Sequence, residues 1–157
     1  MIDAKRRILL KGSLAAGTVG VAVGAGLLAP RLVLADWNSA AFESKDVAGA
    51  LTNLMGGDAT ETSDQIQIKA PDIAENGAVV PVTVETSLEG VSSIALIASG
   101  NATPLVASFD LGEGAVPFVS TRIKMGKTAD VVAVVQSGDK LLSNAKNVKV
   151  TIGGCGG

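Results

Sequence analysis

The sequence predicts a mainly β protein, an immunoglobulin-like antiparallel β-sandwich with an N-terminal helix and a flexible C-terminal arm. Three observations carry this. From Asp64 onward, short apolar or β-branched runs are separated by the Gly, Asn, Asp and Pro that turns require, without intervening helices. Before them, one stretch repeats its apolar residues at helical spacing. After them come Gly153-Gly154-Cys155-Gly156-Gly157, a thiol among four residues that have no side chain to bury and the least restricted backbone.

Residues 1–35 read as an export signal. Lys5-Arg6-Arg7 is followed by Ile8-Leu9-Leu10-Lys11 and a weakly apolar Gly/Ala/Val/Leu run to Ala29. Paired Arg6 and Arg7 ahead of such a run look like a twin-arginine signal, and Val33-Leu34-Ala35 offers small residues for cleavage after Ala35. The competing reading is a membrane span from Gly12 to Ala29, with Gly20 and Gly24 as a helix-pairing motif. Its glycines weaken a helix and a cleavage site follows at once, so the expectation is a periplasmic protein with no stable membrane anchor.

Residues 36–63 form an expected helical segment packed on the sandwich. Ser44 is placed to cap a helix over Lys45–Met55, whose Val47, Leu51 and Leu54 share one face and which Gly56-Gly57 end. A short helical turn over 38–43 precedes it, with Trp37 and Phe42 as packing residues. The sandwich occupies 64–152, with strands expected at 65–69, 78–86, 93–99, 104–110, 117–125, 129–136 and 146–152.

Two strands are informative. Val131-Val132-Ala133-Val134-Val135 is apolar on both faces, so its outer face needs a cover. A protein partner and the N-terminal helix are both open as that cover. The last strand alternates, with Val148, Val150 and Ile152 on one side and Lys149 and Thr151 on the other. Its apolar face would anchor it, leaving 153–157 as a tether that reaches roughly 10 Å to its sulfur.

Composition narrows the chemistry. The 157 residues suffice for one domain with a modest core. With 3% aromatic residues and a net charge of −2, the chain lacks the stacking platforms and basic footprint of a nucleic-acid binder. It has no histidine, which removes Ser-His-Asp and Cys-His catalysis, His-ligated zinc and proximal-His haem. One cysteine rules out an intrachain disulfide, CxxC redox pairs and cysteine-held clusters. No metal or cofactor is expected.

Charge is uneven beyond the signal. Residues 36–114 hold two basic and twelve acidic side chains, whereas 115–157 hold six basic ones (Arg122, Lys124, Lys127, Lys140, Lys146, Lys149) and two acidic. Solvated strand faces explain scattered lysines as well as attraction of small anions or of an acidic partner does.

Nothing in the arm activates Cys155. No histidine or lysine lies within the five residues, and the Gly157 carboxylate disfavours a neighbouring thiolate. A catalytic cysteine needs a preorganised pocket, which a glycine arm does not provide. The residues therefore describe a carrier whose activation comes from elsewhere.

The twin-arginine signal, the small β-rich domain, the segment Asp46-Val47-Ala48-Gly49-Ala50-Leu51 and above all the Gly-Gly-Cys-Gly-Gly ending resemble the SoxY family of the periplasmic sulfur-oxidising system. The resemblance implies that Cys155 is the covalent attachment site and that Gly153, Gly154, Gly156 and Gly157 give clearance in narrow clefts. It also implies a heterodimer with a SoxZ-like subunit, with strand 131–135 as a candidate for that contact. A c-type cytochrome enzyme would load thiosulfate, a hydrolase would release sulfate, and a sulfane dehydrogenase would oxidise the sulfur left behind.

Other readings make different demands. An accessory or adhesion sandwich would use Cys155 only for an intermolecular disulfide. A ubiquitin-like sulfur carrier would activate the Gly156-Gly157 carboxylate with ATP, which is misplaced after export. A self-sufficient sulfurtransferase or peroxidase lacks a site around the thiol. Asn101-Ala102-Thr103 matches a glycosylation sequon but reads as an ordinary turn before Pro104.

Overall fold

The computed structural model describes residues 38–151. The export signal with Arg6 and Arg7, Trp37, Ile152 and the five-residue arm lie outside them. Contacts divide the chain into two units, Met1–Asp36 and Trp37–Gly157, and every described residue belongs to the second.

Two helices open the described chain, α1 (Ser39–Glu43) and α2 (Val47–Met55). The Asn38 side chain accepts from the Ala41 N–H and caps α1. Asp46, in extended backbone, accepts from the Gly49 N–H at 2.7 Å and caps α2. The expected cap, Ser44, instead ends α1, its hydroxyl donating to the Ala40 carbonyl at 2.7 Å. Gly56 closes α2 at φ 78°, the left-handed conformation that glycine adopts without strain.

Nine strands follow: β1 (Glu61–Thr62), β2 (Ile66–Lys69), β3 (Ile73–Ala74), β4 (Val80–Thr86), β5 (Val91–Ala98), β6 (Leu105–Asp110), β7 (Phe118–Ile123), β8 (Ala129–Ser137) and β9 (Lys140–Val150). Six of the seven expected strands recur with small shifts at their ends. The last one is longer than expected, beginning at Lys140 directly after the Ser137-Gly138-Asp139 turn, where Gly138 has φ 58°. Strands β1 and β3 were not expected. They are two residues long, and both pair in parallel along the outer edge of β9, so the sandwich is antiparallel except there.

The larger sheet runs β1-β9-β8-β5-β6, with β3 also on β9; the smaller runs β2-β4-β7. Side chains on alternate residues of a strand point to opposite faces, and β8 and β5 use both. Val131, Ala133 and Val135 with Ile94, Leu96 and Ala98 face the smaller sheet, packing on Ile66, Val80, Val82, Val84, Val119 and Ile123. Val134, Ala95 and Ile97 face the other way, onto Ala41, Ala50 and Leu51 of the helices. Residues 38–151 thus form three layers, and Val47, Leu51 and Leu54 face the sheet as their spacing requires.

The doubly apolar strand is explained by this arrangement. Helices cover its outer face, and Val131, Ala133 and Val135 are wholly buried while Val134 is 1% exposed. Val132, on that same outer face, is half-buried against the helices, so the chain's own helices and not a SoxZ-like subunit cover strand 131–135, contrary to the contact expected of it.

Candidate functional site

The arm expected from the sequence follows β9, so the described part of the candidate site is the end of that strand. Val148 is wholly buried in the sandwich core, and Val150 packs against that core. Beside them, the Val150 N–H donates to the Thr128 hydroxyl at 2.9 Å, and that hydroxyl donates to the Val150 carbonyl at 3.3 Å. On the opposite edge, the Lys149 N–H donates to the Asp72 carbonyl at 2.9 Å and the Thr151 N–H to the Ala74 carbonyl at 3.0 Å. The end of β9 is thus tied along both edges, Val150 to Thr128 on one and Thr151 to Ala74 on the other.

Gly77 lets the neighbouring loop approach this root. Its carbonyl accepts from the Met125 N–H at 2.7 Å, and a Cβ on it would collide with the Met125 carbonyl oxygen and come within 2.8 Å of Val150 Cγ1. From Thr151, four residues of extended chain carry the Cys155 backbone roughly 13 Å. Cys155 and Gly153, Gly154, Gly156 and Gly157 themselves lie outside the described residues.

At the same end of the sandwich is a groove of about 540 Å³, lined by Gly100, Asn101, Ala102, Thr103, Lys124, Gly126 and Lys127. Asn101 organises it. Its Nδ2 donates to the Lys124 carbonyl at 2.7 Å and its Oδ1 accepts from the Gly126 N–H at 2.8 Å, bracing the turn between β7 and β8. The sequence marks 101–103 only as a turn; what sequence missed is that this side chain bridges to a turn 23 residues away. The structure also places four of the six basic residues of the C-terminal half. Lys124 and Lys127 line the groove, Lys146 pairs with Asp72 at 3.1 Å, and Lys140 lies at the far end of β9.

The described residues contain no group of three His, Cys, Asp or Glu side chains placed to hold a metal ion. They present an anchored strand end beside a basic groove, a geometry suited to holding and presenting a group.

Comparison with known proteins decides the family. The family model for the sulfur oxidation protein SoxY matches residues 51–155, a span that ends on Cys155. The chain belongs to the SoxY family. A solved structure of the sulfur carrier protein SoxY from Chlorobium limicola f thiosulfatophilum is 48% identical, over 66% of this chain and 94% of that one, with a TM-score of 0.60. The SoxY fold is therefore shared: mainly β, with few helices and open sheets. A superoxide reductase (neelaredoxin) from Ignicoccus hospitalis is 18% identical, over 55% of this chain and 80% of its own, with a TM-score of 0.49. A human F-spondin reeler domain is 12% identical, over 62% and 97%, with a TM-score of 0.43. Neither of those two likenesses carries an argument about this SoxY chain. No curated protein matches it.

Proposed function

We propose that this SoxY-family chain carries sulfur-oxidation intermediates covalently on Cys155 and presents them to separate enzymes. The observation that carries the reading is that the family match runs through the β-domain and ends on the one cysteine. The anchored end of β9 supports it, because a carrier needs a firm root for its arm.

In the reaction this implies, the Cys155 thiolate and thiosulfate join through a new S–S bond, giving a cysteine S-thiosulfonate. The two electrons released pass one at a time to a c-type cytochrome loading enzyme. Water then cleaves the bond to the terminal sulfonate sulfur, releasing sulfate and two protons and leaving a persulfide on Cys155. A sulfane dehydrogenase then oxidises the outer sulfur of that persulfide to a sulfonate, three waters supplying the oxygens and releasing six protons while six electrons pass to the dehydrogenase and on to its electron acceptor. The chain itself supplies no base or electrophile in the arm, and the four glycines let a narrow cleft admit the backbone around the sulfur.

The carrier works as a heterodimer with a SoxZ-like subunit. It acts in the periplasm, after twin-arginine export through Arg6 and Arg7 and cleavage after Ala35. Among the described residues no helix is long and apolar enough to cross a membrane.

Intact-mass measurement of the protein from thiosulfate-grown cells tests the reading. Thiosulfonate, sulfonate or added-sulfur adducts on Cys155 are expected, with the disulfide-like ones removed by reductant. A uniformly bare thiol overturns the carrier role. A stable disulfide-linked dimer on nonreducing gels, with Cys155→Ser fully functional, would favour the accessory-module alternative instead.

A further inference from the structure

The groove beside the arm root has features that its position in a turn does not require. Lys127 lies across Gly100: a Cβ at Gly100 would come within 3.1 Å of both Cγ and Cε of Lys127 and within 2.6 Å of the Ala129 Cβ. The glycine therefore leaves room for the lysine stem to lie on the backbone, with its ammonium free to reach water or a ligand. Lys124 lines the same space on the turn that Asn101 braces. Neither lysine forms an ion pair among the described residues, where the pairs are Lys69 with Glu85 and Lys146 with Asp72. Asp130, on the strand that follows, already accepts a hydrogen bond from the Asn147 side chain at 2.7 Å.

The groove is also tied to the arm. Lys127 precedes Thr128, whose hydroxyl makes both bonds to Val150, so the lysine springs from the residue next to the arm's anchor. The four residues from Thr151 to Cys155 span roughly 13 Å when extended, enough to bring a group on the sulfur back over that neighbouring turn.

We propose that the Asn101–Lys124–Lys127 groove is a resting cradle for the anionic terminus carried on Cys155, a sulfur oxyanion of the sulfonate type, between visits to partner enzymes. The proposal rests on the carrier reading above. The two lysines are opposite in sign to the single negative charge of the oxyanion. Because the ligand is tethered a few residues away, its local concentration is of order millimolar, so a weak site is filled. Exposed pairs are individually weak and screened by salt, which suits a load that must be given up again.

The test loads the full-length protein chemically. Tetrathionate converts the Cys155 thiolate to the S-thiosulfonate: the thiolate bonds to one inner sulfur, the central S–S bond breaks, and thiosulfate leaves with the electron pair. Methyl methanethiosulfonate gives a neutral S-methylthio control with methanesulfinate leaving, and intact mass verifies each adduct. The amide resonances of Asn101, Gly126 and Lys127 are expected to shift with the charged adduct and not with the neutral one. The shift should shrink as salt rises, vanish in the Lys124→Gln/Lys127→Gln double variant, and persist with arginine at both positions.

Equal shifts with both adducts, or none with either, overturn the cradle. Free thiosulfate on the Cys155→Ser protein separates the two sources of oxyanion. Shifts of the same amides only well above millimolar concentration support a tethered ligand; shifts at micromolar concentration make the groove a site for free anions and overturn the assignment. Because loading is chemical, a bare thiol in cells would overturn the carrier role without altering these measurements, and a failed cradle would leave the carrier role standing.

Discussion

Thr128 and Val150 are joined twice, the Thr128 hydroxyl accepting from the Val150 N–H at 2.9 Å and donating to the Val150 carbonyl at 3.3 Å. A single side chain thus does the work of a strand partner at the place where β9 gives way to the arm. Replacing Thr128 with Val keeps the shape and removes both bonds. The expected cost to global stability is about 0.5–1.5 kcal/mol, because the site is exposed and water replaces the hydroxyl. Amide exchange should report it locally, with Val150 losing protection while Thr151, bonded to the Ala74 carbonyl, changes less.

The helical layer is a second test of the architecture. Leu51 is 4% exposed and packs among Ala95, Ile97, Leu105 and Val134. Leu51→Ala is expected to destabilise the isolated protein by about 2–4 kcal/mol, since it removes buried methyl groups and leaves a cavity over the sheet. Urea unfolding of the protein without any partner measures this. An unchanged midpoint would mean that the helices do not cover the outer face of β8.

Gly77→Ala should be among the more damaging single changes. The new methyl group would meet the Met125 backbone carbonyl and Val150 Cγ1, and a carbonyl in a hydrogen-bonded turn cannot swing aside as a flexible side chain can. A cost of about 1–3 kcal/mol is expected from overpacking, read as a fall in the thermal midpoint. Gly57→Ala is the control, because a Cβ there meets nothing within 4 Å.

Asn144 joins the two sheets. Its Nδ2 donates to the Ile66 carbonyl at 2.7 Å in a part-buried position, connecting β9 to β2 across the gap between the short strands β1 and β3. Asn144→Ala leaves that carbonyl without its partner, at an expected cost of about 1–3 kcal/mol. A denaturation midpoint unchanged from wild type would show that water fills the gap.

For the arm, Gly154→Ala with Gly156→Ala should leave chemical loading of Cys155 intact, since tetrathionate needs only an exposed thiolate. If Cys155 visits partner clefts as proposed, thiosulfate turnover with those enzymes should fall, because two methyl groups would accompany the sulfur into each cleft. Loading by mass and turnover by thiosulfate consumption separate the two effects.

Much of the fold was legible because periodicity is a local property. Val47, Leu51 and Leu54 recur at helical spacing and do face the sheet, and the turns at Glu89-Gly90, Gly112-Glu113-Gly114 and Ser137-Gly138-Asp139 fall where glycine takes positive φ. The helix cap was less legible: Ser44 and Asp46 are both good caps two residues apart, and the extended backbone at Asp46 decided between them. The first half of β9, Lys140 to Ala145, has no clean alternation of buried and exposed residues. It is a strand because β8 offers an uninterrupted register from Ser137↔Lys140 to Ala129↔Val148.

From residue order alone came the mainly β class, the helix ahead of the strands and the terminal cysteine among glycines, because turn chemistry, side-chain period and the lack of a side chain are read within a few neighbours. Only the tertiary structure decided that helices rather than a partner cover Val134, that two short parallel strands border β9, and that Asn101, Lys124 and Lys127 meet beside the arm's root. Those outcomes depend on which surfaces come together after long loops close, and residues 23 or more apart carry no mark of their meeting in the local pattern.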